Sequence, residues 1–260
     1  MNIYVFVKRV PDTESTIRIK HETNSIVDEG LNFIINPYDE FAVEEALQIR
    51  EATGGKVTAV SVGPEETKVI LKKCLAMGAD EAFLIKDDAP EMYDGLRVAS
   101  VIAKAVETKF QDHNLLLFGK QAVGTDNSQV PSMVAGLLGL PQVNVVTKLE
   151  IEGNSGVAHR EIEGASEKIS FMLPAVVSAQ KGLNEPRYET LKGIMMAKKK
   201  EVPVISLEEL GLGEEEAAPR LEIVGMKSPP ERQAGRVVDD EPETAAKKLV
   251  EFLRQEAKVL

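Results

Sequence analysis

The residues with most capacity for chemistry lie in the segment Leu115–Leu140, LLLFGKQAVGTDNSQVPSMVAGLLGL. An apolar run, Leu115–Phe118, enters Gly119 and then a small polar loop containing Gly124, the pattern of a buried strand that ends at a binding loop. A helix is expected next, with Asn127 or Ser128 as its cap, Pro131 in its first turn, and Val130, Met133, Val134, Leu137 and Leu138 at helical spacing. Backbone N–H groups at such a junction, with the positive end of the helix dipole, suit a phosphate. The hydroxyls of Thr125 and Ser128 add donors without bulk. The same pattern fits an ordinary strand-to-helix turn, since neither the G-x-x-x-x-G-K-[ST] nor the G-x-G-x-x-G spacing is present. Local residues leave both readings open.

Positioning that loop falls to a run of strand-helix units. Ile3–Val7 reads as a buried strand delivering Lys8–Asp12 to one sheet edge, and residues 13–33 as a polar excursion with hairpin character. Asn36-Pro37 opens a helix with Asn36 as its cap, Asp39 and Glu40 suited to the dipole, and Ala42, Val43, Ala46 and Leu47 as its buried stripe. Tyr38 is expected to be exposed at that helix start. Val57–Val62 is a strand before a helix carrying Ile70, Cys74 and Met77 in line, which places Cys74 in the core. Ala82–Ile85 is a strand before a helix with the stripe Leu96, Ala99, Ala103, Val106 and Phe110. Successive units of this kind predict a doubly wound, mostly parallel sheet of Rossmann-like type, with ligands beyond the strand C-termini, where the loops after Val7, Val62 and Phe118 converge.

After Pro141 the pattern changes to strands with tight turns, Val143–Ile151, Val157–Ile162, Lys168–Leu173 and Ala175–Ala179, read as an antiparallel extension of the sheet. Leu183–Lys200 combines polar residues, Pro186 and a helix-like apolar run. Beyond it a short helix at Leu207–Leu210, a strand at Leu221–Val224, an extended stretch over Ser228–Asp240 and a helix over Pro242–Leu260 are expected. That last helix carries Ala246, Leu249, Leu253, Ala257 and Leu260 on one face. Residues 1–200 therefore read as an α/β domain and residues 201–260 as a docking arm, too poor in apolar residues for a core of its own.

Composition narrows the function. A 43% hydrophobic content supports a sizeable core, while a net charge of −11 and a pI near 5.0 argue against nucleic acid or an anionic membrane as general partners. One cysteine and three scattered histidines offer neither an internal disulfide nor a metal cluster. No signal-type or membrane-spanning run is present, and the chain reads as cytoplasmic.

Several stretches resemble the β subunit of electron transfer flavoprotein: VKRVPD at Val7–Asp12, NPYDEFAVEEAL at Asn36–Leu47, AMGAD at Ala76–Asp80, GKQAVGTDNSQ at Gly119–Gln129, REIEG at Arg160–Gly164 and LNEPRYETLKGIMMAKKK at Leu183–Lys200. The resemblance covers nearly the whole chain. It implies a heterodimer whose α subunit holds a redox-active FAD, while β binds AMP and helps to cover the flavin. It also implies electron transfer from dehydrogenases, acyl-CoA dehydrogenases among them, toward a quinone-linked oxidoreductase, with no catalytic residues in β itself. Carried over residue by residue, the AMP site would comprise Phe6, Asn36, Pro37, Tyr38, Asp39, Val62 and the run Gly119, Lys120, Gln121, Ala122, Val123, Gly124, Thr125, Asp126, Asn127, Ser128, Gln129 and Val130. Gly124–Ser128 would cradle the phosphate and Tyr38 would shield the flavin edge. Thr13 stands where some members place a second aromatic ring. Tyr188, Leu191, Ile194 and Met195 would meet the dehydrogenase, with Leu191 as the anchor, and Glu161 would contact the mobile flavin domain.

Three further readings stay in play. A bifurcating relative would hold a second FAD where AMP is expected. An enzyme hydrolysing or transferring nucleotides would need paired carboxylates and a catalytic lysine at the phosphates, where only Asp126 and Lys120 stand. A pure nucleotide sensor would be stable without a partner, against which the C-terminal arm argues.

Overall fold

A computed structural model describes residues 1–88, 94–213, 218–230, 235 and 237–260. They divide into two compact units, Met1–Met226 and Lys227–Leu260.

The first unit is built on a sheet with nine strands among the described residues. In chain order its elements begin with strands β1 (Asn2–Phe6), β2 (Arg9–Pro11), β3 (Ile19–Lys20), β4 (Ser25–Ile26) and β5 (Phe33–Ile35), then helix α1 (Pro37–Thr53). There follow β6 (Lys56–Gly63), α2 (Lys68–Met77), β7 (Glu81–Lys86), α3 (Gly95–Thr108), β8 (Leu115–Gly119) and α4 (Val130–Leu138). The second half adds β9 (Gln142–Glu152), β10 (Ser155–Ile162), β11 (Ala165–Met172), β12 (Ala175–Ala179), α5 (Leu191–Lys199) and β13 (Val204–Ser206). The main sheet runs β11-β10-β9-β12-β8-β1-β6-β7-β13, while β2 pairs with β5 at the base of the polar excursion and β3 with β4 inside it.

Strand periodicity divides the core in two. Ile3 and Val5 of β1 face one side with α1, α2 and α5; Tyr4 and Phe6 face the other with α3 and α4. β8 and β12 are buried along their whole length, as central parallel strands covered on both faces must be. Cys74 lies fully buried in the first of these layers.

Several expectations are corrected. Ala175–Ala179 does not belong to the antiparallel extension. It pairs in parallel with both β8 and β9, so only β9, β10 and β11 form an antiparallel wing. Of the apolar stripes, Leu96 and Leu137 are 40% and 47% exposed, because Arg97 and Ala135 take the inward positions beside them. The buried Arg97 is tolerated through an ion pair with Asp87, one of whose bonds is 2.9 Å. Asn127 and Ser128 do not cap α4: Gln129 occupies that position, without a side-chain bond to the helix. Leu221–Val224 has no strand partner and forms no strand. Strand β13, meanwhile, extends the sheet past residue 200, and the first unit runs through Met226.

The second unit contains α6 (Pro242–Gln255), shorter than expected, so Ala257 and Leu260 fall beyond it. Of the stretch Ser228–Asp240, residues 228–230, 235 and 237–240 are irregular, and 231–234 and 236 lie outside the described residues.

Candidate functional site

The parallel strands β1, β6 and β8 end side by side, with Phe6 in register with both Val60 and Phe118. Beyond those ends lies a cleft of about 810 Å³ including its open mouth, at the place where doubly wound sheets take ligands. The rings of Phe6 and Phe118 stack at 4.7 Å and 13° to form an apolar floor. Val60 and Val62 extend it, and Gly95, Val98 and Ile102 of α3 supply a facing wall.

Polar shape comes from two residues at the start of α1. Asp39 is buried, and its carboxylate accepts the backbone N–H of Lys8 at 2.7 Å, that of Gly119 at 3.0 Å and Asn36 Nδ2 at 2.9 Å. It thereby pins the ends of β1 and β8 to one helix start. Asn36 also donates to the carbonyl of Gln121 at 2.8 Å and accepts from the N–H of Val123 at 3.1 Å. Asn36 precedes the helix as expected but caps no helical N–H with its side chain, which is committed to the loop instead. At Gly119 any Cβ would collide with the Asp39 carboxylate and lie 2.7 Å from the Tyr38 backbone, so only glycine admits this approach.

The loop then alternates hands: Gly124, Asp126 and Ser128 have φ of 90°, 49° and 52°. Alternation of this kind turns successive N–H groups toward a common concavity, the geometry of an anion nest. Among the described residues, the N–H groups of Thr125, Asn127, Ser128 and Gln129 have no hydrogen-bond acceptor. The hydroxyls behave differently from expectation. Ser128 Oγ donates to Gln121 Oε1 at 3.0 Å and Thr125 Oγ1 to the Ala122 carbonyl at 3.4 Å, so they shape the loop. Gln121 Nε2 ties Asp126 into the same web.

Lys8 and Lys120 are the cationic side chains lining the cleft. Burial lowers the Lys8 pKa against the opposing pull of Asp39, and burial pushes Asp39 up to about 7 although three donors pull it down. The Lys120 ammonium lies 4.9 Å from the ring centroid of Tyr38, which is half-buried rather than exposed.

Of the expected nucleotide-site residues, Phe6, Asn36, Asp39, Val62, Gly119, Lys120, Gln121, Ala122, Thr125, Asn127, Ser128, Gln129 and Val130 line this cleft, while Pro37, Tyr38, Val123, Gly124 and Asp126 do not. Lys8, Val60, Ser61, Phe118 and the α3 wall were not anticipated. Phe118 and Val60 could have been found from strand alternation, whereas nothing local marks Gly95 or Val98.

The segment around α5 packs against α2 and α1. Helix α5 packs on α2 so closely that a Cβ at Gly193 would collide with the Ala76 carbonyl. Lys72 of α2 donates to the Ala197 carbonyl at 2.9 Å and to that of Lys200. Lys200 in turn donates to the carbonyls of Ala79 and Asp80 at 3.1 and 2.8 Å. Lys72 so caps the C-terminal end of α5, while Lys200 holds the turn between α2 and β7. Ile194 faces inward onto the core, but Tyr188, Leu191 and Met195 are 94%, 83% and 66% exposed. Glu161 is exposed on β10, an interior strand of the wing rather than an edge. Among the described residues, no helix is long and apolar enough to cross a membrane and no three acidic, histidine or cysteine residues cluster as metal ligands.

Fold and cleft together define a doubly wound α/β protein with its site beyond the strand C-termini, at the position where such sheets take ligands. Residues 23–210 match the Electron transfer flavoprotein domain family. The chain is 46% identical over 262 residues to electron transfer flavoprotein subunit beta of Bacillus subtilis (strain 168), covering the whole of both. It is 40% identical over 257 residues to the subunit of the same name from Thermoanaerobacterium thermosaccharolyticum, covering 97% of this chain and 98% of that one. With the Bos taurus subunit beta it shares 39% identity over 246 residues, 94% of each. The chain belongs to the electron transfer flavoprotein family, among its β subunits.

Proposed function

We propose that this chain is one half of a heterodimer whose α subunit carries the redox-active FAD, and that it holds AMP as a structural ligand in the cleft. The observation that carries this reading is the junction, in one cleft also lined by Lys8, of an apolar slot, Phe6, Phe118 and Val62, with a loop of alternating handedness that leaves several N–H groups without acceptors among the described residues. The slot suits an adenine ring and the loop its phosphate. Turnover of the nucleotide is disfavoured, because the titratable side chains at the cleft are Lys8, Lys120 and Asp39, and the Asp39 carboxylate is already engaged by three donors.

Tyr38, half-buried beside Lys120 of the cleft, would shield the flavin edge when the α subunit is bound, and Glu161 on the wing would meet its flavin domain. Tyr188, Leu191 and Met195 form the apolar surface on which an acyl-CoA or related dehydrogenase docks to hand over electrons, which leave toward a quinone-linked oxidoreductase; the pair works in the cytoplasm. A few exposed apolar residues ringed by polar ones suit a transient partner. The test is to copurify the chain with its α subunit, release the bound nucleotide and quantify it. One flavin and one AMP per heterodimer, unconsumed during turnover, are expected. Two flavins would replace AMP with a second FAD and a bifurcating role, and nucleotide hydrolysis by the pure heterodimer would overturn the structural-ligand reading altogether.

A further inference from the structure

The segment joining β12 to α5 has little framework of its own. Residues 184–189 make no backbone–backbone hydrogen bonds among the described residues, yet this stretch carries Tyr188 and leads directly into Leu191. Something other than secondary structure must therefore fix where those two side chains stand. Helix α1 supplies it through Glu44, Gln48 and Glu51, which at i, i+4 and i+7 share one face. Arg187 Nε and Nη2 donate to the two oxygens of Glu44 at 2.8 and 3.0 Å, and Nη1 and Nη2 to those of Glu51 at 2.6 and 3.3 Å. The backbone N–H of Arg187 adds a further bond to Glu44 at 3.1 Å, and Gln48 Nε2 steadies the same carboxylate at 2.8 Å. Upstream, Asn184 Nδ2 donates to the Phe41 carbonyl at 3.0 Å and to Glu45 Oε2 at 2.9 Å. Glu44 is only 3% exposed, so its charge must be paired, and the cation that pairs it belongs to the loop. A planar guanidinium gripped by two carboxylates fixes orientation as well as position, which a lysine ammonium would not do.

We infer that Arg187 is the positioning residue of the docking surface: the Glu44–Glu51 fork holds it so that Tyr188 and Leu191 meet a partner protein already arranged. This rests on the reading of Leu191 as the anchor given above. A pre-set loop spares the ordering that docking would otherwise require, so its loss should weaken encounter without touching the flavin chemistry.

The experiment uses the full heterodimer and measures flavin reduction by a purified acyl-CoA dehydrogenase as heterodimer concentration is varied, for Arg187→Gln, Arg187→Lys, Leu191→Ala and the Arg187→Gln/Leu191→Ala double variant. Arg187→Gln should raise the half-saturating concentration about ten-fold, a typical loss for a site that governs a docking anchor, and leave the saturating rate and nucleotide content unchanged. Arg187→Lys, which keeps the charge but loses the fork, should be impaired less, and it carries the same comparison if the glutamine variant fails to fold. The double variant should be no worse than Leu191→Ala alone, because the clamp acts through the side chains it presents. Wild-type half-saturation in both Arg187 variants beside an impaired Leu191→Ala, even with a lowered melting temperature, would overturn the positioning role and leave the anchor standing. Additive losses would overturn it too, by making Arg187 a direct contact. Unimpaired Leu191→Ala would remove the anchor itself and this inference with it.

Discussion

Asp39 shows how a single carboxylate can assemble a site without performing chemistry in it. With its pKa near 7 against an ordinary 3.8, the folded protein binds this proton more tightly than the unfolded chain. Its contribution to stability is therefore greatest below about pH 4, declines as pH rises through the window up to about 7, and is constant above it. Asp39→Asn removes that dependence. It also turns one carboxylate oxygen into an NH2 donor, which leaves one of the two backbone N–H groups, of Lys8 or Gly119, without its acceptor at a cost of about 1–3 kcal/mol. Urea titrations from pH 4 to 8 should find the variant less stable at pH 4, with the gap to wild type narrowing toward pH 7; a gap that widens with pH would contradict the raised pKa. The candidate loop was legible because small, polar and glycine residues at a strand end advertise a site whatever surrounds them. Asp39 was legible as a helix-start acid, but its role as a staple was not, because its partners Lys8 and Gly119 lie 31 and 80 residues away. The fork around Arg187 was hidden for the same reason, 143 residues separating Arg187 from Glu44.

Among the elements, α5 depends on an approach that only glycine permits. Gly193→Ala should push the helix off α2 and lower stability by about 1–3 kcal/mol, the usual range for an overpacked contact. It should also slow reduction by a dehydrogenase, since Leu191 opens that helix. Chemical denaturation together with reduction kinetics checks both, and an unshifted midpoint would mean that the two backbones can separate freely. Element type was readable wherever periodicity was strong, as in α1, α2 and the wing hairpins. The place of β12 was not: a short apolar strand following two hairpins reads as a third hairpin strand, and its parallel seating depends on the free edges of β8 and β9, set by distant chain. The inward turn of Arg97 escaped because its partner, Asp87, lies on the loop after β7 and no helical spacing announces it.

For the molecule as a whole, the arm is the part proposed to dock on the α subunit. Helix α6 has no buried residue, and Leu249, Val250 and, beyond the helix, Leu260 are 51%, 41% and 71% exposed. Covering such residues contributes several kcal/mol at roughly 25 cal/mol per Å² of apolar area. A chain ending at Glu241 should therefore keep its own unfolding transition but fail to copurify stoichiometrically with the α subunit; undiminished copurification would exclude the arm as a docking element. The seat of β12 has another consequence, one that belongs to the time before the protein is complete. β8 ends at Gly119 and the strand that will cover its open side begins only at Ala175. At about 5–20 residues per second, synthesis of the intervening stretch lasts roughly 3–11 s. Throughout it, the wing can fold by its own hairpins but must stand aside, and the middle of the future sheet presents bare N–H and C=O groups to any neighbouring chain. The most deeply buried line of the finished protein is thus the most vulnerable one on the ribosome, and it is there that a chaperone would have most to protect.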